Sequence, residues 1–354
     1  MTMSEATGDA TAERGPDEAP VSLAREVAFL SSPDAYPGPP ARVDVRETHM
    51  SWVFLTEDRV FKLKKPVLYP PLDFTTLEKR CHFCAEEVRL NQRFTDDIYL
   101  RTVPLRLGPH RRLSLGGAGR IVDYLVEMRR LPAERMLDEV IRAGGLNLAS
   151  VLAVARRLAA YYAAAPPQPE LGRQYAGHLQ DEIEIARDIL LRPGITVSPD
   201  WVKHVLKRVQ ALLTRWRPTI EARVAAGHIL EGHADLRPEH VCLVEPPQIF
   251  DCLEFDQRLR LIDPYDEVNY LGLECELLGA ALVRPVLLNT LEDVIGGRPD
   301  KRLIATYGAI RALLRARISL AHLLDEHPSD PKRWPGDTRA YLALAEVECD
   351  RAGG

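Results

Sequence analysis

Apolar and polar positions follow two different rhythms along this chain, and the change falls near residue 130. The runs 42–47, 51–55 and 59–64 are short, alternating or β-branched, and separated by polar breaks, the pattern of an antiparallel meander. Two further strands are expected over 99–105 and 121–128, joined by a hairpin at the glycine-rich segment 116–119. Between the two groups, 73–94 reads as a helix, with Leu77, Cys81, Cys84, Val88 and Leu90 at helical spacing. A short amphipathic helix is expected over 21–30. The segment 31–40, with four prolines and a glycine, is expected as a loop. Residues 1–21, acidic and rich in small residues without periodicity, read as a disordered tail.

Beyond Arg130 the period is helical. Helices are expected over 149–165, ended by Pro166 and Pro167, and over 178–191, 201–226, 270–288, 302–324 and 338–351. One non-helical island, 229–262, interrupts them with compact apolar runs. The pattern therefore predicts an α+β protein of two lobes. The first is a sheet-and-helix lobe over 22–130; the second is a mainly helical lobe over 131–354.

Composition narrows the class. With 354 residues, 46% of them hydrophobic, the chain buries a sizeable core and is not a disordered protein. A net charge of -5 recommends no nucleic-acid partner. Six cysteines scattered over such a length do not form a disulfide framework. No apolar run reaches the roughly 18 residues of a membrane span, and the acidic start is no secretory signal. A cytoplasmic protein is expected. The run Cys81-His82-Phe83-Cys84 has zinc-like spacing, but within a helix its two thiols share a face and read as core.

The chemistry concentrates in the island. His233-Ala234-Asp235-Leu236-Arg237-Pro238-Glu239-His240 is followed by an apolar run ending in Ile249-Phe250-Asp251. Two carboxylates beside neighbouring short strands suit phosphoryl transfer. One orients and deprotonates an attacking hydroxyl, while the other holds the magnesium that neutralises phosphate charge.

These residues resemble the catalytic loop and metal-binding segment of the aminoglycoside phosphotransferase-like family, which has the protein-kinase-like fold. The similarity is greatest to a branch often fused to a P-loop ATPase domain. It extends over about residues 22 to 325, through Glu47-Thr48-His49-Met50-Ser51-Trp52-Val53, Val60-Phe61-Lys62-Leu63-Lys64-Lys65-Pro66, Leu72-Asp73-Phe74, Glu87-Val88-Arg89-Leu90-Asn91 and Asp251-Cys252-Leu253-Glu254-Phe255. This sequence has no Gly-x-x-x-x-Gly-Lys-Ser/Thr string, so no ATPase module is expected within it.

The resemblance implies an ATP- and magnesium-dependent kinase that phosphorylates a hydroxyl of a small-molecule acceptor. Asp235 would be the base, Asp251 the magnesium ligand, and His233 a brace for the loop. Asp263 and Asp266 would steady that loop. Lys62, with Lys64 as rival on the same strand face, would grip the nucleotide phosphates. Glu87, with Glu86 as competitor, would position that lysine. Backbone groups near Glu127 and Met128 would meet adenine. The family usually has Asn where this chain has His240, and imidazole is a poor magnesium ligand. It often has Gly at Ala234, a change expected to be small. The alternative implied by His240 is a non-catalytic nucleotide-binding protein with a regulatory partner protein. Arg311, Arg315 and Arg317 on one helix read either as a solvated face or as contacts to an acidic partner or substrate.

Overall fold

The computed structural model describes residues 20–69, 72–192, 197–324 and 332–353. The tail expected over 1–21 lies outside them up to Ala19. Contacts group the described residues into two units. One runs up to Val88 and resumes over Asp97–Arg130; the other comprises Arg89–Asp96 and everything from Leu131 onward.

The first unit is built on one antiparallel sheet. Its strands are β1 (Asp44–Glu47), β2 (Ser51–Leu55), β3 (Arg59–Lys64), β6 (Tyr99–Leu107), β7 (Leu113–Leu115) and β8 (Arg120–Arg129), in the order β1-β2-β3-β8-β6-β7. A two-residue pair, β4 (Leu68–Tyr69) with β5 (Leu72–Asp73), leads into helix α2 (Leu77–Asn91). Alternation along β3 sends Phe61 and Leu63 into an apolar core with Phe54, Leu105 and Leu125, which leaves the opposite face to Lys62 and Lys64. Helix α1 (Leu23–Leu30) starts two residues later than the sequence suggested, because the Ser22 side chain caps it by accepting from the Arg25 N–H.

The glycine-rich segment 116–119 is not a hairpin between paired strands. It carries the chain from β7, on one side of β6, to β8 on the other. Gly119 makes this crossing with φ at +123°, and a Cβ there would lie 2.6 Å from the Leu107 carbonyl oxygen.

The second unit is mainly helical. It contains α3 (Leu137–Arg142), α4 (Leu148–Ala164), α5 (Pro169–Gly172), α6 (Tyr175–Leu190) and α7 (Pro199–Ala225) before the island. After it come α9 (Pro264–Leu277), α10 (Val283–Ile295), α11 (Lys301–Ala321) and α12 (Trp334–Arg351). The single helix expected over 270–288 is two helices. Asp263 caps the first from its N-terminal end with Pro264 in the first turn, an arrangement that starts helices. The chain then turns at Gly279, where φ is +92°. Two apolar clusters fill this unit. One lies among α6, α7, α11 and α12; the other joins α4, α9 and α10 to the island. Arg284 ties α10 to α12 through two bonds to Glu348, at 2.9 and 2.7 Å, both fully inside the protein.

The island itself holds β9 (Leu230–Glu231), β10 (Val241–Cys242), β11 (Gln248–Ile249), the short helix α8 (Gln257–Arg260) and β12 (Leu261–Ile262). It forms two separate two-stranded ladders, β9 with β12 and β10 with β11. All six cysteines are free thiols. Among the described residues no helix is long and apolar enough to cross a membrane.

Candidate active site

In the first unit, β3 runs between β2 and β8, so its lysines do not decorate a sheet edge. Both converge on one carboxylate. Lys62 Nζ donates to Glu87 Oε1 at 2.9 Å and Lys64 Nζ to Oε2 at 2.5 Å. Glu87 and Lys64 are wholly enclosed, and the Lys64 ammonium also lies 4.9 Å from the centre of the Phe74 ring. Lys62 retains 16% of its side-chain exposure, so it is the member of the trio that reaches solvent. Glu86, one residue earlier on α2, is only half-buried.

Glu127 and Met128 do not form a connecting segment. They sit inside β8, opposite Phe61 and Val60 of β3 on one side and Arg101 and Tyr99 of β6 on the other. The Glu127 carboxylate is taken by Arg101 at 2.7 Å. The strand continues through Arg129, whose N–H donates to the Ile98 carbonyl. Both residues therefore lie within the ladder, paired on either side.

In the second unit the loop 232–240 is held from beneath by Glu267 on α9. The Glu267 carboxylate accepts the N–H of His233 at 3.0 Å, the N–H of Ala234 at 2.5 Å, and the hydroxyl of Tyr162. Burial pushes the Glu267 carboxyl up, against the lowering effect of these donors. Gly232 makes the approach feasible, since a Cβ there would collide with the Glu267 carboxylate and with Ile262. Neither residue was singled out from the sequence. Asp263 and Asp266, expected to steady the loop, instead tie helices together. Asp263 pairs with Arg223 of α7, and Asp266 with Arg311 of α11 at 2.9 and 2.8 Å and with the Tyr175 hydroxyl at 2.8 Å.

His233 is tied to the segment that carries Asp251. Its Nε2 lies 2.8 Å from the Phe250 carbonyl, which makes Nε2 the protonated nitrogen, and its backbone carbonyl accepts from Leu253. Burial pushes the imidazole down to about 4, so the ring is neutral at physiological pH.

His240 stands between the two carboxylates. Its Nδ1 donates to the Asp235 backbone oxygen at 2.7 Å, and its Nε2 lies 3.6 Å from Asp251 Oδ2. The Asp251 side chain is 41% exposed, and its neighbour Cys252 is fixed by Asn91, whose Oδ1 accepts the Cys252 N–H at 2.8 Å. Arg93 reinforces the same point with a 3.2 Å bond to the Gly232 carbonyl. Asn91 and Arg93 are thus further site supports that sequence spacing alone did not single out. Glu254 is half-buried, and its backbone oxygen accepts from Arg260.

For Asp235, burial pushes the carboxyl up, but Arg237, His240 and Arg315 together outweigh it and hold the pKa below the ordinary carboxylate value. The Arg237 guanidinium is 3.8 Å away. Asp235 is therefore an ionised acceptor at neutral pH.

Two residues of the site adopt left-handed backbone, Ala234 at φ +74° and Asp251 at +61°. Aspartate tolerates that region, whereas alanine is strained there. The alanine at 234 is therefore not a neutral replacement for glycine. Relief of about 1–2 kcal/mol of left-handed strain, less about 0.4–1 kcal/mol of added unfolded-chain freedom, favours glycine. Ala234→Gly is expected to raise the denaturation midpoint modestly; a midpoint that stays put or falls contradicts the strain argument.

Among the described residues no three His, Cys, Asp or Glu side chains form a group that could hold a metal ion. Magnesium does not require one, since it commonly binds one or two carboxylates and completes its shell with water and substrate phosphates. Asp251, accessible and acidic, fits that use; the His240 imidazole does not.

No family model matches the chain. It is 29% identical over 325 residues to an uncharacterized protein of Mycobacterium tuberculosis and to one of Mycobacterium bovis, covering 88% of this chain. The chain spans 62% of the length of these relatives. Among solved structures it resembles a choline/ethanolamine kinase family protein from Mesorhizobium loti, at 15% identity and a TM-score of 0.53, over 93% of this chain and 99% of that one. It also resembles the choline kinase LicA from Streptococcus pneumoniae, at 11% identity and a TM-score of 0.51, over 86% and 94%. At these identities the likeness establishes the fold, and the chain has the two-lobed, kinase-like fold that the sequence resemblance implied.

Proposed function

We propose that this protein is an ATP- and magnesium-dependent phosphotransferase that moves the γ-phosphoryl group of ATP onto a hydroxyl of a small molecule. The observation that carries the reading is the arrangement of Asp235 and His240 on a loop pinned by Glu267, with the Asp251 carboxylate 3.6 Å from His240. It supplies an ionised carboxylate for the acceptor and an accessible one for a metal. That the similar solved structures are named as kinases of choline or ethanolamine supports a small-molecule acceptor.

Each residue then has a defined task. Lys62, held by Glu87, grips the nucleotide phosphates, while the enclosed Lys64 neutralises the second carboxylate oxygen. Asp251 holds magnesium, which supplies positive charge to the phosphate oxygens when bound. Asp235 orients the acceptor hydroxyl and takes its proton as the new O–P bond forms and the bond to the ADP oxygen breaks; the proton then passes to water.

Calorimetric titration with ATP, with and without magnesium, tests the reading. Magnesium-strengthened binding is expected; no heat and no thermal shift at millimolar ATP would sink it.

His240 permits a sharper question. An amide oxygen is a harder ligand than imidazole. His240→Asn is therefore expected to leave magnesium affinity at saturating ATP unchanged or raised. If the substitution abolishes activity present in the parent, His240 is not a degraded ligand but a working residue. A parent that binds nucleotide without turnover, and gains none from the substitution, fits the non-catalytic alternative with a regulatory partner.

A further inference from the structure

The end of the β10–β11 ladder sets His240 and Asp251 side by side. Val241 pairs with Ile249, so the next residues outward, His240 and Phe250, face each other, and the Phe250 N–H donates to the His240 carbonyl at 3.0 Å. Asp251 follows at once. The imidazole is fixed as well as the backbone. Its Nδ1 is bonded to the Asp235 backbone oxygen, and only 12% of the side chain is exposed. The other ring nitrogen, Nε2, is the one turned toward the accessible Asp251 carboxylate.

Among the described residues Nε2 has no hydrogen-bond partner, and its 3.6 Å separation from Asp251 Oδ2 is beyond hydrogen-bond reach. The separation suits a shared ion better. Two ligands each about 2.1 Å from one metal stand about 3.0–3.4 Å apart at octahedral or tetrahedral angles, so a shift of a few tenths of an ångström seats both. The bond at Nδ1 fits the same use. A histidine that ligates through one nitrogen ordinarily donates its other N–H to a carbonyl or carboxylate, which orients the ring and raises its basicity.

The ligand types select among ions. An imidazole nitrogen beside a carboxylate oxygen suits first-row transition ions, whereas magnesium demands oxygen. We propose that His240 and Asp251 together hold a divalent ion of the manganese-to-zinc series in preference to magnesium, with water and nucleotide phosphate oxygens completing its shell. Magnesium, held by Asp251 without the imidazole, is the weaker substitute. The nucleotide's share of the shell rests on the phosphotransferase reading; the two protein ligands do not.

Manganese, the weakest binder of that series and a paramagnetic one, is the exacting probe. Manganese and magnesium are titrated separately into the full chain, with and without ATP, and pulsed electron paramagnetic resonance of the manganese complex reads its ligands. Nitrogen modulation from a directly bound imidazole is expected, changing to the pattern of the heavier nitrogen isotope when the histidines carry that label. His240→Asn is expected to abolish the signal and to lower the manganese-over-magnesium affinity ratio by about 10-fold or more, at least the cost of losing a ligand's outer partner. His240→Gln reads the same where the asparagine variant does not fold. Manganese bound without histidine nitrogen, a signal and ratio that both substitutions leave unchanged, or no manganese binding with or without ATP overturns the ion site. Histidine-ligated manganese on a chain that binds no nucleotide upholds the ion site and overturns the phosphotransferase reading alone. Magnesium-ATP turnover by a chain whose manganese shows no nitrogen overturns the ion site alone.

Discussion

Asp235→Asn is expected to lower phosphotransfer by about 100- to 10,000-fold, the usual consequence of losing a positioned general base. Nucleotide binding and folding are expected to survive. The substitution is isosteric, and the carboxylate is 35% exposed, with Arg237 no closer than 3.8 Å and His240 Nδ1 3.7 Å from Oδ2. The bond from His240 reaches the backbone oxygen of residue 235, which the asparagine retains. Since its surroundings hold the Asp235 pKa below the ordinary carboxylate value, the carboxylate is ionised throughout the neutral range. Turnover should therefore show no acid limb from this group near pH 7, and any loss should begin only as pH falls to the lowered pKa. Steady-state kinetics of parent and variant, with calorimetry of ATP binding, check both statements; an unchanged kcat removes Asp235 from the mechanism.

Glu87→Gln is expected to have the largest effect on stability, about 3–5 kcal/mol. Two ammonium groups share this carboxylate, and Lys64 has no exposure at all. An amide still accepts one hydrogen bond but removes the negative charge beside two ammonium groups, and the desolvation already incurred is then less compensated. The double variant Glu87→Gln with Lys64→Met is expected to recover much of the loss, because an apolar side chain of similar length suits the site beside Phe74. Thermal and urea unfolding of the three proteins measure this. A loss below about 1 kcal/mol in the single variant, the range of a surface ion pair, contradicts the enclosed-trio account.

The two-lobe texture was legible because strand and helix periods differ and the change near residue 130 is sharp. The loop with Asp235 and Asp251 stood out as the non-helical island in a helical region. Alternation on β3 put Lys62 and Lys64 on one face, whereas Glu87 entered through the family resemblance; the structure brings the three together. What escaped notice depends on approach in space. Glu267 reaches the loop from 34 residues away, through a space that exists because residue 232 is glycine. Asn91 fixes Cys252 across 161 residues. The left-handed backbone at Ala234 was hidden because alanine gives no sign of it, whereas a glycine would have. The apolar run at 121–128 marks where a strand is, not that it lies between two others, which is where Glu127 and Met128 are found. Arg311, Arg315 and Arg317 looked like a solvated face by composition, yet Arg311 is half-buried against Asp266 and Arg317 pairs with Glu182 at 2.7 Å. Buried cations look the same as exposed ones until their carboxylates are located.

The central claim is that Asp235 and Asp251 serve phosphoryl transfer to a small molecule. Mass spectrometry of a metabolite pool incubated with the protein, ATP and magnesium tests it most directly, with Asp235→Asn run in parallel. The account predicts one compound that becomes a phosphate heavier with the parent protein and remains unmodified with the variant. A phosphorylated product formed equally by both, or no phosphorylated product from a parent that binds magnesium-ATP, would contradict it.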